Sequence, residues 1–232
     1  MQKRRIRKNN GAGASSESWV CEMIVLDIET SGLNPEENGI WQIGAFEIGN
    51  PDNYFLEEGR IDDDDKIGEG ALLVTGKSRE NILDKTKQSQ KELLIKFFEW
   101  CKNTEIKNCL CQNPQFDLGF ITLKARKYGL EVPFHHRAFD LHSIAQVKYY
   151  QIKKKFLFKE DHSGMSLPHT LEFCGMKDER RHVEGDKIDV KGKEHNALED
   201  CKLTGECFSR IIYGKNLFDE FKKFEIPGYL RK

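Results

Sequence analysis

The chain has 232 residues, 38% hydrophobic and 32% charged, enough to bury a substantial core. Its 37 basic and 38 acidic residues leave a formal net charge of −1, so a polyanion would have to meet local patches rather than a uniformly basic protein. No uninterrupted apolar run approaches the roughly 20 residues of a membrane helix, and the N-terminus lacks the apolar segment of a secretory signal.

Residues 1–19 combine Lys3, Arg4, Arg5, Arg7 and Lys8 with a Gly/Ala/Ser run and predict a disordered basic tail. Residues 20–232 are expected to form a single domain with a C-terminal helical extension. Residues 21–27 read as a buried strand ending in an acid. Residues 40–48 and 53–57 alternate as strands, with residues 49–52 as the turn between them, so the sheet should begin antiparallel. Residues 60–83 read as an Asp- and Gly-rich connection, and the Asp62–Asp65 run as solvated charge. A helix over 87–102 places Leu93, Leu94, Phe97, Phe98 and Cys101 on one side. A strand at 106–111 and a helix at about 115–128 follow, with Gly129 as its cap. Residues 138–149 predict a strand running into a helix, and 150–166 a basic, aromatic insertion. A short helix over 168–173, a charged loop over 178–194, a long helix over 196–213 and a short one over 216–224 complete the chain. Strands followed by helix–strand alternation predict an α/β domain: a mixed sheet, antiparallel over its first three strands and then parallel, flanked by helices.

The seven cysteines include no Cys-x-x-Cys pair and fit reduced core residues of a cytoplasmic protein. The basic start leaves an organellar or nuclear destination open. His169, Cys174, His182 and Cys201 match no zinc-ligand spacing.

Three distant stretches carry acids in settings that suit metal ions: Asp27-Ile28-Glu29-Thr30, Asn113-Pro114-Gln115-Phe116-Asp117 and His195-Asn196-Ala197-Leu198-Glu199-Asp200. Asp27 and Glu29, two apart on a strand, share one face and can converge on a cation while Ile28 enters the core. Asp117 falls in the first turn of its helix, where a carboxylate is also favoured by the helix dipole. Asn113 can cap that helix or meet a phosphate or terminal nucleotide, and Phe116 can enter the core or stack on a base. His195 and Asp200, five apart, are about 140° apart on a regular helix, so the simplest arrangement puts His195 in the preceding loop and Asp200 inside the first turns. A histidine beside cations, with an intrinsic pKa of roughly 6.5, suits a general base.

In order and spacing these stretches resemble the three motifs of the DEDDh, or DnaQ-like, 3′–5′ exonucleases of the ribonuclease H-like superfamily. The similarity spans roughly residues 22–212 and includes Phe120 and Val74-Thr75-Gly76, which resembles a short segment that the family places before its first helix. Where the family often has His-Asn-Ala, this chain has Gln112-Asn113-Pro114. The resemblance implies hydrolysis of phosphodiester bonds from the 3′ end of single-stranded DNA or RNA, releasing nucleoside 5′-monophosphates. It implies two Mg²⁺ or Mn²⁺ ions: Asp27, Glu29 and Asp200 on one, Asp27 with Asp117 on the other. It implies His195 as the base, and Thr30 and Leu33 against the terminal nucleotide with Leu33 as a wedge. It admits a polymerase or another nucleic-acid-processing protein as partner, and it leaves the oligomeric state open. The competing expectation is a nuclease-like module that binds nucleic acid or protein without cutting.

Overall fold

The computed structural model describes residues 23–104, 107–184, 187–189 and 192–232. The predicted basic tail lies outside these residues. Five strands form the central sheet: β1 (Ile24–Thr30), β2 (Ile40–Glu47), β3 (Asn50–Glu58), β4 (Cys109–Cys111) and β5 (Phe139–Asp140), in the order β3-β2-β1-β4-β5. The first three pair antiparallel, and β4 and β5 add in parallel. The predicted mixed sheet is therefore present.

Alternation along β1 divides the core between two faces of the sheet. Ile24, Leu26 and Ile28 enter one cluster with Leu93, Phe97 and Phe120. Those partners come from α3 (Gln90–Lys102) and α4 (Pro114–Lys127). Met23 and Val25 enter the other cluster with Leu141, Leu171 and Phe208, from α5 (Leu141–Lys153), α6 (Leu167–Phe173) and α7 (Ala197–Tyr213). All six described cysteines are free and buried. Helix α3 starts where a capping box forms, Ser89 accepting from the Glu92 backbone while the Glu92 side chain accepts from that of Ser89.

Six local expectations are corrected or refined. The β2–β3 turn is residues 48–49, and Asn50 already pairs with Glu47. The ladder then skips to Phe46↔Tyr54, so Pro51, which has no N–H to give, escapes pairing on an edge strand. Residues 60–83 contain two short helices, α1 (Glu69–Thr75) and α2 (Arg79–Ile82), too brief to show a clear period. The Asp62–Asp65 run is not uniformly solvated. The Asp65 side chain, 3% exposed, pairs at 2.7 Å with the equally buried Lys124 of α4. Residues 178–194 contain an antiparallel hairpin, β8 (His182–Glu184) with β9 (Lys187–Asp189). The 150–166 insertion comprises the end of α5 and a second small hairpin, β6 (Phe158–Lys159) with β7 (His162–Ser163). The C-terminal segment holds a 3₁₀ turn, Asp219–Lys223, in place of the expected helix.

One close approach sets α7 against the sheet. Gly44 lies opposite Asp27 in the β1–β2 register. A Cβ built there would fall 2.3 Å from the Ala197 carbonyl carbon and the Leu198 nitrogen. The missing side chain lets the first turn of α7 lie directly on β2. Two bonds hold the contact: the Ala197 N–H donates to Gln42 Oε1 at 2.9 Å, and Cys201 Sγ donates to the Gly44 carbonyl at 3.1 Å. Asp200, one residue before Cys201, is carried to β1 by this contact.

Candidate active site

Asp27 and Glu29 leave β1 on the side of Val25, away from the core residue Ile28. Asp117 arrives from the first turn of α4, just past the end of β4, and the Ile28 backbone N–H hydrogen-bonds to its carboxylate. Asp200 arrives from α7. Glu29, Asp117 and Asp200 are 8%, 4% and 4% exposed. His195 precedes Asn196, whose side chain caps α7 by accepting from the Leu198 and Glu199 N–H groups. The His195 backbone N–H is held by the Val74 carbonyl at 3.1 Å, so the Val74-Thr75-Gly76 segment, at the end of α1, supports the loop carrying the imidazole. Ligand atoms of Glu29, His195 and Asp200 lie within 4.8 Å of one another.

The electrostatics are those of too many carboxylates in too little water. Burial, then Asp117, Asp200 and Glu29, raise Asp27 well above the ordinary carboxylate range. Burial and then Asp200 push Glu29 up to about 8, against the lowering effect of His195 and Arg180. Burial raises Asp117 to about 7, although backbone N–H groups bonded to its carboxylate oppose the change. Burial alone would lower the His195 pKa, but its contact with Asp200 outweighs that and the net shift is upward. Glu29 Oε1 and Asp200 Oδ1 are buried and accept no hydrogen bond from the protein. Unpartnered carboxylate oxygens at such depth are costly unless something cationic joins them. The donor set, hard oxygens with one imidazole, fits a divalent cation such as Mg²⁺ or Mn²⁺.

The protein supplies one cation of its own, which the sequence reading missed. Arg180, 9% exposed, donates from Nη1 to Asp200 Oδ2 at 2.7 Å. Its Nε and Nη2 grip Asp178 at 3.0 and 2.7 Å. The next residue supplies its carbonyl to His195 Nε2 at 2.9 Å, while His195 Nδ1 lies 3.4 Å from Asp200 Oδ2. A charged stretch twenty residues upstream carries no spacing signal for such a contact. Gly44 and Gln42 were also missed, though a glycine inside an otherwise bulky strand does signal a close backbone approach.

The remaining predicted residues flank this cluster. Thr30 is buried, its hydroxyl donating to the Gly32 carbonyl at 2.6 Å. Leu33, in the loop after β1, is 84% exposed. Asn113 is the N-cap residue of α4 by position, but its side chain makes no capping bond and is exposed. Phe116 is partly buried, packed on Phe120 with ring centres 4.9 Å apart. A hollow of about 610 Å³ opens beside this turn, lined by Pro114, Gln115, Leu118, Arg126 and Asp140 among others.

A family model described as exonuclease, of the RNase T type, matches residues 24–208. A PolC-type DNA polymerase III from Caldanaerobacter subterraneus subsp. tengcongensis is 27% identical over 200 residues, covering 86% of this chain and 12% of the polymerase. The DNA polymerase III epsilon subunit of Buchnera aphidicola subsp. Baizongia pistaciae is 32% identical over 109 residues, 42% of this chain and 40% of the subunit. The chain thus spans only a minor part of the length of these relatives. The nuclease domain of 3′hExo, a DEDDh family member bound to rAMP, superposes with a TM-score of 0.61 at 17% identity, covering 91% of this chain and 98% of that one. Escherichia coli exonuclease I with a dT13 oligonucleotide gives 0.57 at 14% identity, covering 82% and 41%. These structural likenesses identify the fold as ribonuclease H-like. Among the described residues, no helix is long and apolar enough to cross a membrane.

Proposed function

This chain belongs to the exonuclease family of the RNase T type, and we propose that it removes nucleotides one at a time from the 3′ end of single-stranded nucleic acid. The reading assigns this activity to residues 20–232 as one catalytic domain. The observation that carries it is the gathering of Asp27, Glu29, Asp117 and Asp200 from three distant segments, with two buried oxygens left unpartnered. Asp27, Glu29 and Asp200 would hold one Mg²⁺ or Mn²⁺, and Asp27 with Asp117 a second. Bound there, the ions would acidify the attacking water and neutralise charge developing on the scissile phosphate and its leaving 3′-oxygen.

The chain's own residues do the rest. His195 accepts the proton of the attacking water as general base. Its charged form is supported by Asp200, so His195 becomes a competent base once Asp200 is committed to a cation. Thr30 and Asn113 offer polar groups to the terminal nucleotide. Leu33, standing clear of the surface, wedges against the last base, and Phe116, partly exposed, stacks on a base. The product is a nucleoside 5′-monophosphate. A polymerase or another nucleic-acid-processing protein is the class of partner that this reading favours.

The deciding experiment presents 5′-labelled single- and double-stranded DNA and RNA to the protein with Mg²⁺ or Mn²⁺, with EDTA, and to Asp27→Ala. Stepwise shortening from the 3′ end, abolished by EDTA and by the substitution, is expected. Cation binding without any product would identify a binding module instead. His195→Ala is expected to slow the reaction by roughly 10²–10⁴.

A further inference from the structure

Between Leu141 and Lys159 the chain carries five lysines and no acidic residue, although the charges of the whole chain nearly balance. The same stretch exposes large apolar side chains. Val147, Tyr150, Phe156 and Phe158 are 54%, 46%, 47% and 66% exposed. The rings form an ordered group. Tyr150 and Phe156 stack with centres 4.8 Å apart and planes 25° apart, and Phe158 meets Phe156 edge-on at 6.4 Å. Lys148, Lys153, Lys154 and Lys155 are interleaved with them in sequence.

The ledge is rigidly mounted. Gln146, 7% exposed, donates to the Leu157 carbonyl at 2.7 Å and accepts from the Leu157 N–H at 3.0 Å. Gly164 N–H also donates to the Leu157 carbonyl, at 2.9 Å. Lys154 and Glu160 take left-handed backbone conformations, φ 57° and 56°, uncommon for residues with side chains. Together they fold the hairpin back along α5 and hold its rings in water. The mount is bonded to the carboxylate cluster's neighbourhood. His142 Nε2 and Ser163 Oγ are 2.6 Å apart, and Gln112, the residue before Asn113, reaches the Met165 carbonyl at 3.1 Å.

We propose that this ledge binds the 5′-ward part of the single strand whose 3′ end enters the carboxylate cluster, the rings stacking on bases and the lysines meeting phosphates. The inference rests on the exonuclease reading above. Exposed π faces with adjacent positive charge are the chemistry that holds unpaired bases without regard to sequence. An apolar protein partner would not meet the charges of Lys148, Lys154 and Lys155. None of its residues belongs to the carboxylate cluster, so it acts on long strands and not on the reacting bond.

The test compares wild type with Phe156→Ala/Phe158→Ala and, separately, with Lys154→Glu/Lys155→Glu. All four side chains are solvent-facing, so the core is untouched in either variant. Fluorescence anisotropy in EDTA, with labelled oligo(dT) and oligo(U) of about 15 nucleotides, is expected to show roughly tenfold or greater loss of affinity for the aromatic variant. The lysine variant should flatten the dependence of log affinity on log salt. Trinucleotide binding and hydrolysis of the p-nitrophenyl ester of thymidine 5′-monophosphate with Mn²⁺ should match wild type in both. Unchanged affinity for the long strands in both variants would overturn the proposal and leave the ledge to a protein partner. Absence of hydrolysis by wild type on every substrate would instead overturn the exonuclease reading.

Discussion

Cation affinity should climb steeply with pH across the neutral range. A carboxylic acid must give up its proton before it ligates a cation, so every raised pKa in the cluster is a barrier to binding below that pH. Burial and mutual repulsion push Glu29 to about 8 and Asp117 to about 7, and hold Asp27 well above the ordinary range. At pH 7 a group titrating at about 8 is roughly nine-tenths protonated and one titrating at about 7 is half protonated. Through Glu29, the ion it shares with Asp27 and Asp200 should bind about ninefold more tightly at pH 7 than at pH 6 and about fivefold more tightly again at pH 8; through Asp117, the second ion should gain about fivefold and then about twofold. The same linkage acts on folding without cation. Each folded pKa lies above its unfolded value, so the stability these protonated acids contribute is complete below the unfolded pKa and is lost as pH rises through about 7 to 8. The rise in melting temperature caused by Mn²⁺ should therefore widen over the same window. Titration calorimetry at pH 6, 7 and 8, in two buffers of different ionisation enthalpy, reads both affinity and protons released. More than one proton per protein is expected to leave at pH 7. Affinity constant within about twofold from pH 6 to 8, with heats that ignore the buffer, would refute the reasoning.

Other substitutions probe the surroundings of the cluster. Arg180→Gln withdraws the positive charge in contact with Asp200 and should tighten divalent-cation binding by about an order of magnitude, since a unit charge at contact is worth a kcal/mol or more; unchanged or weaker binding in calorimetry would show that Arg180 orients Asp200 rather than competing for it. Gly44→Ala forces a methyl group to within 2.3 Å of the α7 backbone and should cost about 1–3 kcal/mol in urea unfolding. It should lower kcat as well, because Asp200 is displaced with the helix. Arg210→Leu leaves Glu206, fully buried and paired at 2.8 Å, without its guanidinium; a loss of about 3–5 kcal/mol is expected. Arg210 also bonds the carbonyls of Phe221 and Phe224, so faster proteolysis within 216–224 should accompany the loss.

The site was readable from sequence where its chemistry repeats a local rule. Asp27 and Glu29 share a face because strands alternate, and the alternation is visible in Ile24, Leu26 and Ile28 going to one cluster while Val25 goes to the other. Asp117 was legible because Pro114 starts a helix. His195 and Asp200 were separable because five helical residues do not share a face. What the sequence did not disclose depends on meetings between segments far apart along the chain. Asp65 looks solvated within its acidic run, and only the approach of Lys124 from α4 makes it a buried ion pair. Arg180 looks like one more charge on a charged loop, and only the folding of that loop over α7 delivers it to Asp200.

The carboxylate cluster itself follows from this division. Each acid is placed by a local element, but their convergence depends on three backbone approaches: β4 alongside β1, the first turn of α4 against Ile28, and α7 upon Gly44. None of these contacts involves a charged side chain making a favourable bond with another acid. The apolar clusters on both sides of the sheet supply the driving force, and the acids are carried into mutual repulsion by residues that are not part of the site. A fold that uses burial energy to hold acids together has a cluster relieved by protons at low pH and by a cation once those protons leave. Arg180 gives partial relief by pairing with one oxygen of Asp200, and it leaves that residue's other oxygen and Glu29 Oε1 unpartnered. The strain that remains is what a divalent cation would relieve on binding, and its magnitude sets how strongly the cluster recruits one.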